Sequence, residues 1–232
     1  MSEPATVSVS EVQLFERDVT FRMPFRFGVV TLTASPQAFA RVRIRDGSGR
    51  EGWGMAAEML APKWFDKNLE LTNEDNFEQL RAALRTASKL YREFGPATPF
   101  GLYRGCYDEQ IRLRGEAGDG PLVACYGPAL LDRAILDALC RMDGVSFSEA
   151  VRANRPGLES DDTDMDAVLA SLRPAEQVHA RHTVGMVDPI RDNPEPVGDG
   201  LPETLADIIA HYGHTAISRS RSAAILMQIS PA

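Results

Sequence analysis

The sequence predicts an α+β fold, with strands gathered at the front, helices behind them, and a closing strand–helix pair. Three observations carry this. Apolar and polar residues alternate with a period of two over 37–45. From Phe77 onward the apolar residues recur at spacings of three and four. A strand-like run at 178–187 is followed, after a loop rich in Pro and Gly, by a helical pattern at 202–212.

Residues 7–22 are rich in β-formers, with Val7, Val9, Val12 and Leu14 in partial alternation. Met23 to Gly28 is expected as a loop and 29–33 as a second strand. In 37–45, Ala38, Ala40, Val42 and Ile44 form an apolar face, and Phe39, Arg41, Arg43 and Arg45 form a mostly basic one. Asp46-Gly47-Ser48-Gly49 is a turn sequence, so 50–56 is expected to return as a hairpin partner. An antiparallel sheet with one wet face follows.

Thr72 and Asp75 have the spacing of a capping pair. Phe77, Leu80, Leu84, Ala87, Tyr91 and Phe94 give the first helix its apolar stripe, and Gly95-Pro96 closes it. A second helix is expected over 99–114, with Tyr103, Tyr107 and Ile111 on one face. Pro128 is expected to open a third, with Leu131, Ala134, Ile135, Ala138, Leu139 and Met142 facing inward. A short helix at 146–153 and an acidic linker at 157–166 come next. The last stretch, 214–232, contains no acidic residue and does not continue the strand–helix rhythm, although a strand at 223–229 fits its apolar run.

Composition narrows the function classes. The chain has 232 residues, 44% of them hydrophobic, enough for a packed core. A net charge of -8 argues against nucleic acid as a partner. No run of about 18 apolar residues occurs, so no membrane partner is expected. The N-terminus has no secretory pattern, and Cys106, Cys125 and Cys140 are an odd set without disulfide or zinc spacing. A cytoplasmic protein is expected.

Several segments resemble the mandelate racemase/muconate lactonizing enzyme group of the enolase superfamily. MPFRFGVVTLTASPQAFARVRI and GREGWGMAAEMLAPKWFDK are similar to its N-terminal capping domain. GPALLDRAILDALCRMDGVSFSEAVRAN is similar to the helical segment before its barrel. ARHTVGMVDPI with DGLPETLADIIAHYG is similar to its first barrel strand and helix. The resemblance implies a capping domain over 1–156, antiparallel sheet plus helical bundle, then an incomplete start of a (β/α) barrel over 157–213. A divergent tail occupies 214–232.

The resemblance also implies a chemistry. Such enzymes bind a small carboxylate or acid-sugar substrate on Mg²⁺ and remove the proton beside the carboxylate, as racemases, dehydratases, lyases or cycloisomerases. Their bases include a Lys-x-Lys pair on the second barrel strand, and three acidic ligands on later strands hold the metal. Here no lysine follows Lys89, and Arg219 and Arg221, which have the spacing of the pair, stay protonated. No catalytic residue, metal ligand or bound cofactor is therefore assigned within the chain. A truncated, inactive relative is expected, or else a binding module that pairs with itself or with an intact homologue.

Phe25, Arg26 and Phe27, with Trp53, are the candidate substrate-shielding residues by resemblance. The alternative for these aromatics is packing on the cap itself, and the same choice applies to Met55, Trp64 and Phe65. His179, His182, His211 and His214 lack nearby acids and are expected as structural or exposed. Glu58, Asp66 and Glu70 are expected on a solvated face, and Cys106 has no histidine partner at recognisable spacing.

Overall fold

The computed structural model describes residues 3–27, 30–173, 175, 179–183, 188–212 and 224–228. The chain divides into two units, the first made of 1–18 and 36–173, the second of 19–35 and 174–232.

The first unit is built on an antiparallel sheet of order β1-β2-β3, with β1 Val7–Phe27, β2 Val30–Asp46 and β3 Glu51–Met59. Two long strands replace the expected strand–loop–strand succession, because β1 runs through Met23 to Phe27 without a break. β2 pairs with β3 from Gln37↔Met59 to Arg45↔Glu51, so β3 ends where Pro36 interrupts the donor row of β2. β1 and β2 outrun β3 there, and their far ends, 19–35, belong to the second unit.

The β2–β3 turn is as tight as its sequence implies. Asp46 N–H donates to Arg50 O at 3.0 Å, leaving three loop residues, and Gly49 takes a φ of 87° that a side chain would strain. The Asp46 carboxylate accepts from Ser48 N–H at 2.9 Å and Arg50 N–H at 3.0 Å. These bonds, those from the Ser48 hydroxyl and the Arg50 guanidinium foremost, lower its pKa to about 2.

Six helices follow in this unit: α1 Asn73–Phe94, α2 Pro99–Glu116, α3 Pro121–Ala124, α4 Tyr126–Asp143, α5 Phe147–Arg152 and α6 Met165–Ser171. Thr72 and Asp75 form the expected capping box on α1. α4 starts at Tyr126, two residues before Pro128, because α3 leads straight into it. Pro128 stays within the first turn, where no N–H is needed. α6 begins within the end of the expected linker, capped by Asp164, which accepts from Ala167 N–H at 3.0 Å.

Ala38, Ala40, Val42 and Ile44 turn inward as their alternation predicts and are at most 4% exposed. They meet Leu80, Leu84 and Tyr91 of α1 and Leu131, Ala134, Ile135 and Ala138 of α4 in one core. On α2 the buried face is Leu102, Cys106 and Gln110, not Tyr103, Tyr107 and Ile111. Gln110 made this face hard to read, because its amide is fully buried and donates to Ala83 O at 3.0 Å and Ala124 O at 2.8 Å.

α4 sits directly on β3. A Cβ on Gly54 would lie 2.1 Å from Ala134 O and 2.2 Å from Ala138 N, both backbone atoms. Asp137 completes the contact by accepting Met55 N–H, an edge-strand donor, at 2.9 Å.

The second unit contains the ribbon ends 19–35, β4 His179–Thr183, α7 Leu205–Tyr212 and β5 Ala224–Gln228. β4 then α7 is the strand–helix order expected of a first barrel unit. β5 pairs antiparallel with β4, whereas successive barrel strands run parallel. Among the described residues no helix is long and apolar enough to cross a membrane.

Two predictions follow. Gly54→Ala should destabilise the chain by about 3 kcal/mol, since backbone cannot yield as a side-chain tip can, and the urea midpoint will show it. The second concerns Asp132 on α4, which accepts from Tyr91 Oη at 2.8 Å and whose pKa burial raises from 3.8 to about 7. Its folded pKa lies above its unfolded one, so stability is fullest below about pH 4 and falls as pH rises to about 7. Asp132→Asn keeps an acceptor for Tyr91 and removes the charge. It should match the wild type near pH 4 and exceed it by on the order of 2 kcal/mol at pH 8 in urea titrations.

Candidate functional site

In the second unit, site geometry is organised by Arg22 on β1. Its guanidinium meets Asp199 side-on, Nε to Oδ2 at 2.5 Å and one terminal nitrogen to Oδ1 at 2.6 Å. The remaining N–H groups reach Leu201 O at 3.1 Å and Pro202 O at 3.0 Å. Five donors in one plane let a single arginine hold both a carboxylate and the backbone beside it. The Arg22 hydrogen bonds are the main reason the Asp199 pKa falls to about 2. Glu203 accepts from Gly198 N–H and from the Asn193 amide, both at 2.8 Å, which lowers its pKa too.

The start of α7 is secured by the same segment. Pro189 O accepts Leu205 N–H at 2.9 Å and Ile190 O accepts Ala206 N–H at 3.0 Å. Thr204 and Asp207 exchange hydrogen bonds at 3.1 Å as a capping box. A cavity of about 400 Å³ opens between Arg22, Met23 and Pro24 on one side and Asp188, Asp192 and Glu195 on the other.

The candidate shielding residues fall in both units. Phe25 and Arg26 lie on β1 in the second unit, in strand conformation, with Phe25 36% exposed. Arg26 is half-buried, and its Nε has no hydrogen-bond partner among the described residues. The backbone of Phe27 ends β1, and its side chain lies outside the described residues. Trp53 belongs to the first unit, where the Arg41 guanidinium sits 4.2 Å and that of Arg43 5.3 Å from its ring centroid.

Other candidates are spread out. Phe65 packs edge-on against Tyr126 at 5.3 Å, whereas Met55 is 49% and Trp64 57% exposed. Glu58 pairs with Arg133 at 3.1 Å, and Asp66 accepts Asn68 N–H at 2.9 Å and the Gln79 amide at 3.0 Å. Cys106 is buried beside Asp132, and the burial pushes its thiol up to about 11, the reverse of an activated nucleophile. His211 is exposed, the backbones of His179 and His182 lie in β4, and His214, Arg219 and Arg221 lie outside the described residues. Among the described residues no three His, Cys, Asp or Glu side chains converge as metal ligands.

Sequence reasoning missed two residues that shape these regions. Arg22 gave no local signal, because its partner is 177 positions away. Lys63 holds the loop after β3 by donating to Asn68 O at 2.8 Å and Leu71 O at 2.6 Å, from a backbone with φ of 60°. Removing the Arg22 fork should loosen the segment it gathers. Arg22→Ala should speed amide hydrogen exchange at Leu201, Glu203 and Thr204 about tenfold, with Arg22→Lys in between.

No family model matches the chain, and no curated protein matches it. Among solved structures, similarity is found to an enolase from Bradyrhizobium complexed with magnesium and mandelic acid. That likeness has 18% identity, covers 62% of this chain and 34% of the other, and has a TM-score of 0.40. A mandelate racemase/muconate lactonizing enzyme-like protein from Rubrobacter xylanophilus gives 15% identity, 62% and 33% coverage, and a TM-score of 0.40. A dipeptide epimerase from Methylococcus capsulatus, complexed with Mg and the dipeptide L-Arg-D-Lys, gives 20% identity, 62% and 34% coverage, and a TM-score of 0.37. The chain spans about a third of the length of each of these proteins. These three solved structures are thus an enolase, a mandelate racemase/muconate lactonizing enzyme-like protein and a dipeptide epimerase.

Proposed function

We propose that this chain supplies the capping part of a Mg²⁺-dependent enolase-superfamily enzyme that removes the proton beside the carboxylate of a small acid or acid sugar, in a racemase, dehydratase or lyase reaction. The observation that supports it best is the order of elements. The segments that resemble the capping domain lie largely in the antiparallel sheet, those that resemble the helical segment before the barrel in α4 and α5, and β4 and α7 follow as strand and helix.

In this reading Arg26, on the part of β1 that belongs to the second unit, offers a half-buried guanidinium whose Nε is unmatched among the described residues. A carboxylate suits such a group, being planar and able to accept two N–H bonds. The described residues do not fit a Mg²⁺ cradle. Asp199 and Glu203 are occupied by Arg22, Asn193 and backbone amides, and no three ligand side chains converge among the described residues. We therefore route no step through the metal, and propose that residues 1–232 do not abstract the proton unaided.

The test is proton exchange. The purified chain, with Mg²⁺ in D₂O, is incubated with a panel of α-hydroxy acids, acid sugars and dipeptides, and loss of the α-proton signal is followed by NMR. We expect no exchange above buffer; exchange with any substrate would overturn the inactivity. The family reading is checked separately by translating the DNA beyond codon 205 in three frames. It predicts a Lys-x-Lys strand followed by three spaced carboxylates in one of them.

A further inference from the structure

Among the described residues of the first unit, the helices pack on one face of the sheet. On the other, Arg17 and Arg41 are held without a carboxylate partner among the described residues. Both lie against aromatic rings, Arg17 at 5.3 Å from Phe39 and Arg41 at 4.2 Å from Trp53. Neighbouring cations differ: Arg43 pairs with Glu11 at 2.7 Å and Arg45 with Glu51 at 2.5 Å. Stacking fixes the plane of a guanidinium and leaves its N–H edges free to take a carboxylate in a forked contact. Phe15 and Met55, 51% and 49% exposed, add apolar area to the same face. Aromatic residues, Met and Arg together, without Lys, are the composition of an interface core.

A matching surface exists on the same chain. Glu159, Asp161 and Asp162, in the loop before α6, are exposed and have no cationic partner among the described residues. By contrast Asp164 caps α6, and Asp166 accepts from the Asn154 amide at 2.6 Å. A chain of net charge -8 thus carries, among the described residues, two stacked cations without a carboxylate on this sheet face and three carboxylates without a cation on a loop.

We propose that the open face of β1–β3 is a self-association surface, on which Arg17 and Arg41 receive the 159–162 loop of a second copy of this chain. This holds whether or not the catalytic reading above is right. Because one patch meets a different patch, the contact is heterologous, and each copy offers both halves.

Charge swapping tests it. Sedimentation velocity on the full chain should show concentration-dependent association at low salt that weakens as salt rises. Arg17→Glu/Arg41→Glu and Asp161→Arg/Asp162→Arg should each weaken association at least roughly tenfold. An equimolar mixture should regain it, because the acidic face of one then meets the basic loop of the other. That recovery also shows that both variants are folded. A wild type that stays monomeric at all salt concentrations would overturn the proposal, and so would variants that associate as the wild type does. If the wild type is monomeric but binds an oligo-aspartate peptide, the face serves another partner and the proposal fails.

Discussion

The structure of the first unit depends on how closely α4 approaches β3. Gly54 admits the helix backbone to a distance that no Cβ permits, and Gly52 does the same for Met142, whose Cγ would lie 2.3 Å from a Cβ there. Close approach has two consequences. It brings Ala134 and Ala138, both fully buried, against the sheet. It also brings Asp137 to the open edge of β3, where it satisfies Met55 N–H. An edge strand capped by a charged side chain is poorly suited to pairing with another strand. The helix that packs the sheet thereby also guards its β3 edge.

Much of this was legible in sequence, for physical reasons that differ by element. β2 declares itself because one face is buried and the other wet, so its period of two is clean. α1 declares itself through local chemistry, with Thr72 and Asp75 at one end and Gly95 at the other. Elements that rest on distant partners stayed hidden. Gln110 looks like a surface residue until Ala83 O and Ala124 O are brought to its amide by two other helices. The segment Met23 to Phe27 contains Pro24, which argues for a loop. In an outer strand of the sheet a missing N–H costs little, and β1 is such a strand.

The site was legible to a lesser degree for the same reason. Phe25, Arg26 and Trp53 stand out by residue type, yet type alone does not separate a shield from packing. Arg26 has a buried Nε without a partner among the described residues, as Arg43 does, and this is a property of its surroundings that its sequence context does not show. Trp53 lies beneath Arg41 and Arg43, so its ring already serves to orient cations of its own sheet. The organising residue, Arg22, sits in an ordinary strand sequence and acquires its role only when Asp199, Leu201 and Pro202 are folded onto it.

Arginine recurs at each of these points, and its chemistry explains why. The chain has only three lysines, and the half-buried cations on β1 and β2 are all arginines. An ammonium is strongly hydrated and loses that hydration at a cost when partly buried. A guanidinium is more weakly hydrated, stacks on a ring, and spreads its donors along an edge. Arg22 uses the edge to join a carboxylate and two carbonyls, and Arg41 uses the face against Trp53 while keeping a donor for Gln13 at 3.4 Å. The same substitution, Arg to Lys, would therefore fail differently at the two places. At Arg22 it would keep the charge and lose the fork, while at Arg41 it would keep the charge and lose the fixed plane. On a wet sheet face made of such residues, the N–H edges are already set in position before any partner arrives.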